Sequence, residues 1–318
     1  MQYDVIVYGP IFCDLIFTDL PGLPRLGTEI FAGDLTVTVG GSAIVAAGLH
    51  RLGAKVGLAA DLGTDAFSLI VRQTLDELGL DRSLIREHEH PLPQATVGLS
   101  FPQDRAFVTR FARPRTPPDL VRLLRDHPTR HLHVCSFLAA LDNPRAAYIA
   151  HDAGATVSMD PGWDEAALRD PRLAGMIREV DFFLPSEMEL RHLTGEGDLS
   201  LAATTVTSTM REDAALVVKQ GADGATAFVH GRRDAVHTGV LPVTPVDTTG
   251  AGDSFDAGFL YAFVNGLSLD ECMRYGAVCG GLSTTGPGGI GALPTLSEVE
   301  LWLPKLPSSA AAAPTHQD

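Results

Sequence analysis

Asp247-Thr248-Thr249-Gly250-Ala251-Gly252-Asp253-Ser254-Phe255 is the stretch on which the reading of this chain turns. Phe259, Leu260 and Phe263 follow at helical spacing, so a turn of small residues leads directly into a buried helix. The first amides of a helix have no intrahelical partner, and the helix dipole is positive there. Side chains no larger than those of Gly250, Ala251 and Gly252 let a phosphate approach those amides, which makes the turn an anion hole. A carboxylate in the same turn, Asp253, can accept the proton of an attacking alcohol while the amides stabilise charge on the transferring phosphoryl oxygens. For an isolated Gly-Asp-Ser the simpler alternative is a helix cap beside a tight turn.

Working outward, β-branched runs at 4–8, 56–60, 131–135, 156–159, 181–184 and 215–219 read as strands separated by helical patterns. Such alternation predicts an α/β fold, a three-layer sandwich with a mostly parallel central sheet and helices on both faces. One helix is well marked over 64–79: Phe67, Ile70, Val71, Leu75 and Leu78 recur at helical spacing, with Thr64 or Asp65 as N-cap and Gly79 as the stop. Two segments break the rhythm. Residues 12–39 are rich in turn residues and short alternating runs, and 96–112 reads as a hairpin around 102–105. Together they are expected to form a small β-sheet lid over one end of a single domain spanning 1–305, with a disordered tail at 306–318.

The 247–255 stretch resembles the second signature of the PfkB family of carbohydrate kinases, which share the ribokinase-like fold, and the resemblance extends over nearly the whole chain. It implies an ATP-dependent sugar kinase using ATP and Mg2+, with Asp253 as base and Gly250-Ala251-Gly252 as anion hole. Gly40-Gly41-Ser42-Ala43 is similar to the family's first signature, whose glycines let backbone pass close to the substrate. The Asn usual a few residues later is replaced by Ile44-Val45, so a sugar contact is missing or supplied elsewhere. Asp14 stands where the family places a carboxylate for substrate hydroxyls, and an ionised Asp can accept two hydrogen bonds from a vicinal diol. A turn or cap Asp is the alternative.

Further matches concern the nucleotide. Ser186 and Glu189 occupy the family's Asn-x-x-Glu element, which organises the water shell of the magnesium; a solvated helix-start Glu is the alternative. Residues 217–225 match the nucleotide-binding strand, with Lys219 adding charge and Gly221 and Gly224 in the turn, although alone they read as an ordinary hairpin. The run 279–292, which includes Cys279 and Ser283, would close over adenine. Asp247, Thr249 and carbonyls of that run would hold a monovalent cation, with potassium the expected ion.

Composition narrows the classes. The 318 residues are 45% hydrophobic and 20% charged, ordinary globular values, and a net charge of −15 leaves no basic face for nucleic acid. Four cysteines without a CxxC pair suggest neither a disulfide framework nor a zinc knuckle, and point to a reducing compartment. No run approaches the roughly 18 apolar residues of a membrane span, and no basic leader precedes Val5, so a cytoplasmic protein without membrane partners is expected. Gly286 to Gly291 matches G-x-G-x-x-G but lacks the strand before and helix after that a dinucleotide site requires. No P-loop motif occurs, and the only lysines are Lys55, Lys219 and Lys305.

His131, His133 and Cys135 share one face of a strand, but their apolar setting reads as sheet core rather than a metal site. Arg105, Arg110, Arg113 and Arg115 can hold a substrate carboxylate or phosphate, or protect an exposed sheet edge; the latter is favoured. The lid edges suggest a homodimer. The runner-up function is a nucleoside kinase sharing the Asp253 element. A non-catalytic ligand-binding descendant is a third reading, against which the retained Asp253 argues.

Overall fold

Val5, Ile6 and Val7 form a run that is apolar toward both sides, as a strand covered by helices on both faces requires. The computed structural model describes residues 3–101, 105–232 and 234–307. Its strands are β1 Tyr3–Tyr8, β2 Ile11–Thr18, β3 Asp34–Gly41, β4 Val56–Ala59, β5 Asp61–Leu62, β6 Arg86–Glu87, β7 Gln94–Ser100, β8 Arg105–Phe111, β9 Thr129–Cys135, β10 Thr156–Asp160, β11 Phe182–Phe183, β12 Ala215–Lys219, β13 Ala225–Val229 and β14 Val236–Thr238. Eight of them make one sheet in the order β14-β13-β12-β11-β10-β9-β1-β4. Pairing is parallel from β4 to β12 and antiparallel at β12–β13 and β13–β14.

Alternate residues of β1 look into different cores. Val5 and Val7 pack with buried residues of the helices Ser42–Arg51, Ala251–Val264 and Leu269–Ser283, whereas Ile6 and Tyr8 pack with those of Leu120–Asp126, Ala146–Asp152 and Leu173–Glu179. The result is the three-layer α/β sandwich that the alternating pattern implies. Individual bounds move: the strand expected at 181–184 is only Phe182–Phe183, and the one expected at 156–159 extends to Asp160. The helix expected at 64–79 spans Ala66–Glu77, capped by Asp65, whose Oδ1 accepts from the Phe67 and Ser68 amides at 3.1 Å. Gly79, at φ 70°, lies just beyond its end.

The two segments that break the rhythm do form a second sheet, ordered β3-β2-β7-β8. β2 and β3 are antiparallel, as are β7 and β8, and β2 joins them to β7 in parallel. Because β2 follows β1 through only Gly9 and Pro10, this lid is rooted at the carboxyl end of the central sheet. The hairpin tip at 102–104 lies outside the described residues. Of the segment read as a tail, Leu306 is buried in the core and 308–318 lie outside the described residues. Among the described residues no helix is long and apolar enough to cross a membrane.

Candidate active site

The site lies at the carboxyl ends of the parallel strands, where loops and helix N-termini converge in open α/β sheets. Its floor is the first turn of the Ala251–Val264 helix. Gly250 is the N-cap residue at φ 71°, and no side chain caps the helix, so its first amides are not engaged by a cap. A Cβ on Gly250 would lie 2.8 Å from both Gly289 Cα and Ile44 Cδ1. Backbone conformation and space therefore both require glycine there. Ile44 packs against the backbone at Gly250 and Gly289.

Asp253 projects from this turn. Burial first, and then the neighbouring charge of Asp160, push its carboxyl up to about 7, against the opposing pull of Lys219. Asp14 on β2 is buried beneath the lid; burial raises it to about 7 as well, with the Thr96 hydroxyl pulling the other way. A Cβ on Gly40 would stand 2.1 Å from Asp14 Oδ2, so the glycine of β3 is what lets that carboxylate lie against its neighbouring strand. Gly41, at φ 64°, would bring a Cβ within 2.6 Å of the Pro10 carbonyl.

Asp247 braces the loop before the helix. Its Oδ1 accepts from the Thr249 amide at 2.9 Å and the Thr249 hydroxyl at 2.8 Å, and its Oδ2 accepts from the Gly288 amide at 2.9 Å. The loop 286–291, set aside as a dinucleotide motif, is thus held against the turn at Gly250. Arg105 at the start of β8 donates from Nη1 to Thr249 Oγ1 at 3.2 Å. This changes the edge-protection reading for Arg105, which reaches the loop before the Ala251–Val264 helix; Arg113 pairs with Asp142 at 3.1 Å, Arg110 is exposed on the edge strand β8, and Arg115 is exposed beyond it.

On the nucleotide side, Ser186 and Glu189 form a capping box at the start of the helix Glu187–Thr194. Ser186 Oγ accepts from the Glu189 amide at 3.2 Å, and Glu189 Oε2 accepts from the Ser186 amide at 2.7 Å. Glu189 is more enclosed than a solvated helix-start residue; burial and the charge of Asp160 raise its carboxyl. Gly221, at φ 58°, has open space where a side chain would be, which leaves its backbone approachable. Gly224 instead turns the chain: a Cβ there would meet the Thr238 carbonyl at 2.1 Å.

Three sequence assignments need correction. Ser42 is fully buried and donates its hydroxyl to the Gly9 and Pro10 carbonyls at 3.0 Å, so it braces the β1–β2 link rather than facing substrate. Cys279 is buried where the helix Leu269–Ser283 presses on Gly258, and Ser283, with no exposed surface, donates to the Gly280 carbonyl at 2.9 Å. Neither side chain opens toward a nucleotide. Helical periodicity turned both inward, a direction that spacing along the run 279–292 does not reveal.

Lys219 does not stand free. Its ammonium donates to Asp160 and to both oxygens of Asp256, at 3.1 and 3.2 Å. Burial pulls its pKa down, but the carboxylates of Asp160, Asp256 and Glu189 outweigh it and raise the value. Asp160 and Asp256 escaped the sequence reading. The available signals were a carboxylate closing a parallel strand and another three residues after Asp253, on the same helix face.

Residues 4–296 match the pfkB family carbohydrate kinase profile. The chain belongs to that family. As a pfkB carbohydrate kinase it is an ATP-dependent sugar kinase, and relatives with different substrates lie at similar distances. It is 31% identical over 276 residues to a fructokinase of Salmonella typhimurium, covering 80% of this chain and 88% of that one. Its identity to a 2-dehydro-3-deoxygluconokinase of Bacillus subtilis is 28% over 325 residues, covering 95% and 96%. The Arabidopsis thaliana ribokinase solved with ribose and ATP superposes with a TM-score of 0.80 at 24% identity, over 95% of this chain and 99% of that one, which makes the fold ribokinase-like.

Proposed function

We propose that this pfkB kinase transfers the γ-phosphoryl group of ATP to a primary hydroxyl of a sugar or sugar acid held between Asp14 and Asp253. The observation that carries the reading is the pairing of an uncapped helix N-terminus with a carboxyl raised to about 7, near enough to a second such carboxyl, Asp14, for that charge to raise it further. A general base works best when its pKa lies near the working pH, which Asp253 satisfies. The acceptor's hydroxyls bind Asp14, Asp253 takes the proton of the attacking hydroxyl, and the amides of Gly250, Ala251 and Gly252 receive the transferring oxygens.

Magnesium, when bound, neutralises the triphosphate, and Glu189 at the edge of the site fits a contact through water. Asp247 and Thr249, already hydrogen-bonded to each other, are the side chains proposed to hold potassium and so to order the anion-hole loop. The lid exposes Leu35, Val37, Phe107 and Val108 on its edge strands, an apolar surface suited to a second copy of the chain. Four buried free thiols fit the cytoplasm.

The test is a panel of D-fructose, D-ribose, 2-dehydro-3-deoxygluconate and adenosine with MgATP, read as ADP release coupled to acceptor phosphorylation. A phosphorylated sugar or sugar acid is expected. Turnover of adenosine alone would replace the reading with a nucleoside kinase, and no turnover of any acceptor would overturn it.

A further inference from the structure

Beneath the anion-hole turn lies a string of buried polar groups that the chemistry above leaves unused. His131 Nδ1 is 2.8 Å from Thr156 Oγ1, and its Nε2 is 2.7 Å from Ser158 Oγ. The same Ser158 oxygen is 2.7 Å from His133 Nδ1. The other ring nitrogen of His133 is buried without a hydrogen-bond partner and points at Asp256 Oδ2, 3.9 Å away. Asp256 in turn holds Lys219, and Lys219 also holds Asp160. The string therefore runs from the sheet interior to the underside of the catalytic turn.

Its upper end is close to the chemistry. Lys219 Nζ lies 3.5 Å from where a Cβ on Gly252 would stand, so the ammonium rests directly against the anion hole. Asp256 follows Gly252 by four residues and Asp253 by three, which puts all three on one side of the helix. Lys219 closes β12 and Asp160 closes β10, so the cluster ties the turn to two strands of the central sheet. Stability alone is a weak reason for such a cluster, because well-packed apolar side chains commonly hold an interior as firmly as a buried ion pair.

We propose that Asp256 and Lys219 are positioning residues for phosphoryl transfer: pinned by Asp160 and the His133 string, they set the height and orientation of the Gly252–Asp253 turn. The proposal rests on the assignment of that turn as anion hole and base. Neither residue touches the reacting atoms here; each acts through the turn. Burial keeps both histidines neutral, His133 at about 4, so the string carries orientation rather than charge.

The experiment uses the full chain and the fastest acceptor of the panel, and compares Lys219→Met, Asp256→Asn and the double variant by kcat, acceptor KM and melting temperature. Lys219→Met leaves two carboxylates without their cation, so melting temperature falls, and kcat falls by about 10²-fold with acceptor KM within about threefold of wild type. Asp256→Asn keeps shape and melting temperature while kcat drops about tenfold. In the double variant one of the two carboxylates left without a cation is gone, so melting temperature recovers while kcat stays at least about thirtyfold down. Recovery of kcat together with melting temperature, or an Asp256→Asn enzyme within about twofold of wild-type kcat, would show the cluster to be purely structural and overturn the proposal. Should the double variant fail to regain its melting temperature, the Asp256→Asn result decides. Failure of the underlying base assignment appears separately, as wild-type turnover in Asp253→Asn.

Discussion

The site contains enclosed carboxylates whose surroundings drive them in opposite directions, Asp14 and Asp253 upward and Asp160 downward. Asp14 and Asp253, the carboxylates proposed for the acceptor side, are both raised to about 7 by burial, in Asp253 against the opposing charge of Lys219. On the nucleotide side Asp160 is also enclosed, yet Lys219 and a hydrogen bond with Asp256 hold its carboxyl below the usual range despite that burial. Asp256, with no exposed surface, is pushed well up by burial in spite of Lys219. On the proposed reading one residue type thus serves as proton acceptor in one place and as anchor in the other. The Lys219 ammonium, with a hydrogen bond from Asp256, offsets the loss of hydration at Asp160 but not at Asp256, which it also touches.

Breaking the acceptor side should have the largest consequence. Asp253→Asn preserves size but cannot take a proton, so kcat is expected to fall by about 10²- to 10⁴-fold with folding intact, measured by steady-state phosphorylation beside thermal melting. Retention of more than about a tenth of wild-type kcat would mean that another group is the base.

Asp14 sharpens the contrast, because its proposed role is to bind the acceptor in ground and transition states alike. Asp14→Ala is expected to raise acceptor KM by about 10- to 100-fold while KM for ATP stays within about threefold; a parallel loss of ATP affinity would move Asp14 out of the acceptor pocket.

The raised carboxyl of Asp253 predicts a pH profile with a definite sign. The base must be ionised, so kcat should be level above about 7 and decline by about tenfold for each pH unit below it. A profile flat down to pH 5 would show that Asp253 remains ionised in the complex or is not the base.

The smallest effect concerns stability without substrate. An unfolded Asp ionises near 4 whereas folded Asp14 does so at about 7, so the native chain holds a proton that the unfolded chain has released. The corresponding stability is fully present below about 4 and is lost as pH rises through about 7. Asp14→Asn should therefore melt about 2–4 °C higher than wild type at pH 8, with the gap shrinking by pH 5.5. A lower melting temperature at both pH values would mean that the ionised Asp14 stabilises the fold. Function, on this account, keeps a carboxylate where the fold alone prefers an amide.

Local pattern made much of this molecule legible. The parallel strands, the Asp65-capped helix, the lid and the Gly250-Ala251-Gly252-Asp253 turn all follow from residues within a few positions of one another, because caps, turns and periodicity are short-range. Asp14 could be named because it lies on β2, the strand after β1, where the family resemblance implies the same carboxylate.

The partners of Lys219 could not be read in the same way. They stand 59 and 37 positions away, and they meet it only because β10 and β12 end at the same edge of the sheet and the Ala251–Val264 helix packs across it. Arg105 reaches Thr249 over 144 positions by the same kind of long-range pairing, through the lid. Cys279 and Ser283 show the converse, since helix packing buried side chains that the linear run seemed to offer to the nucleotide. The sequence by itself determined the Gly250-Ala251-Gly252-Asp253 turn and the layered α/β frame, since those depend on adjacent residues. Which charges neutralise one another was decided only in the tertiary structure, where register and packing choose each side chain's direction.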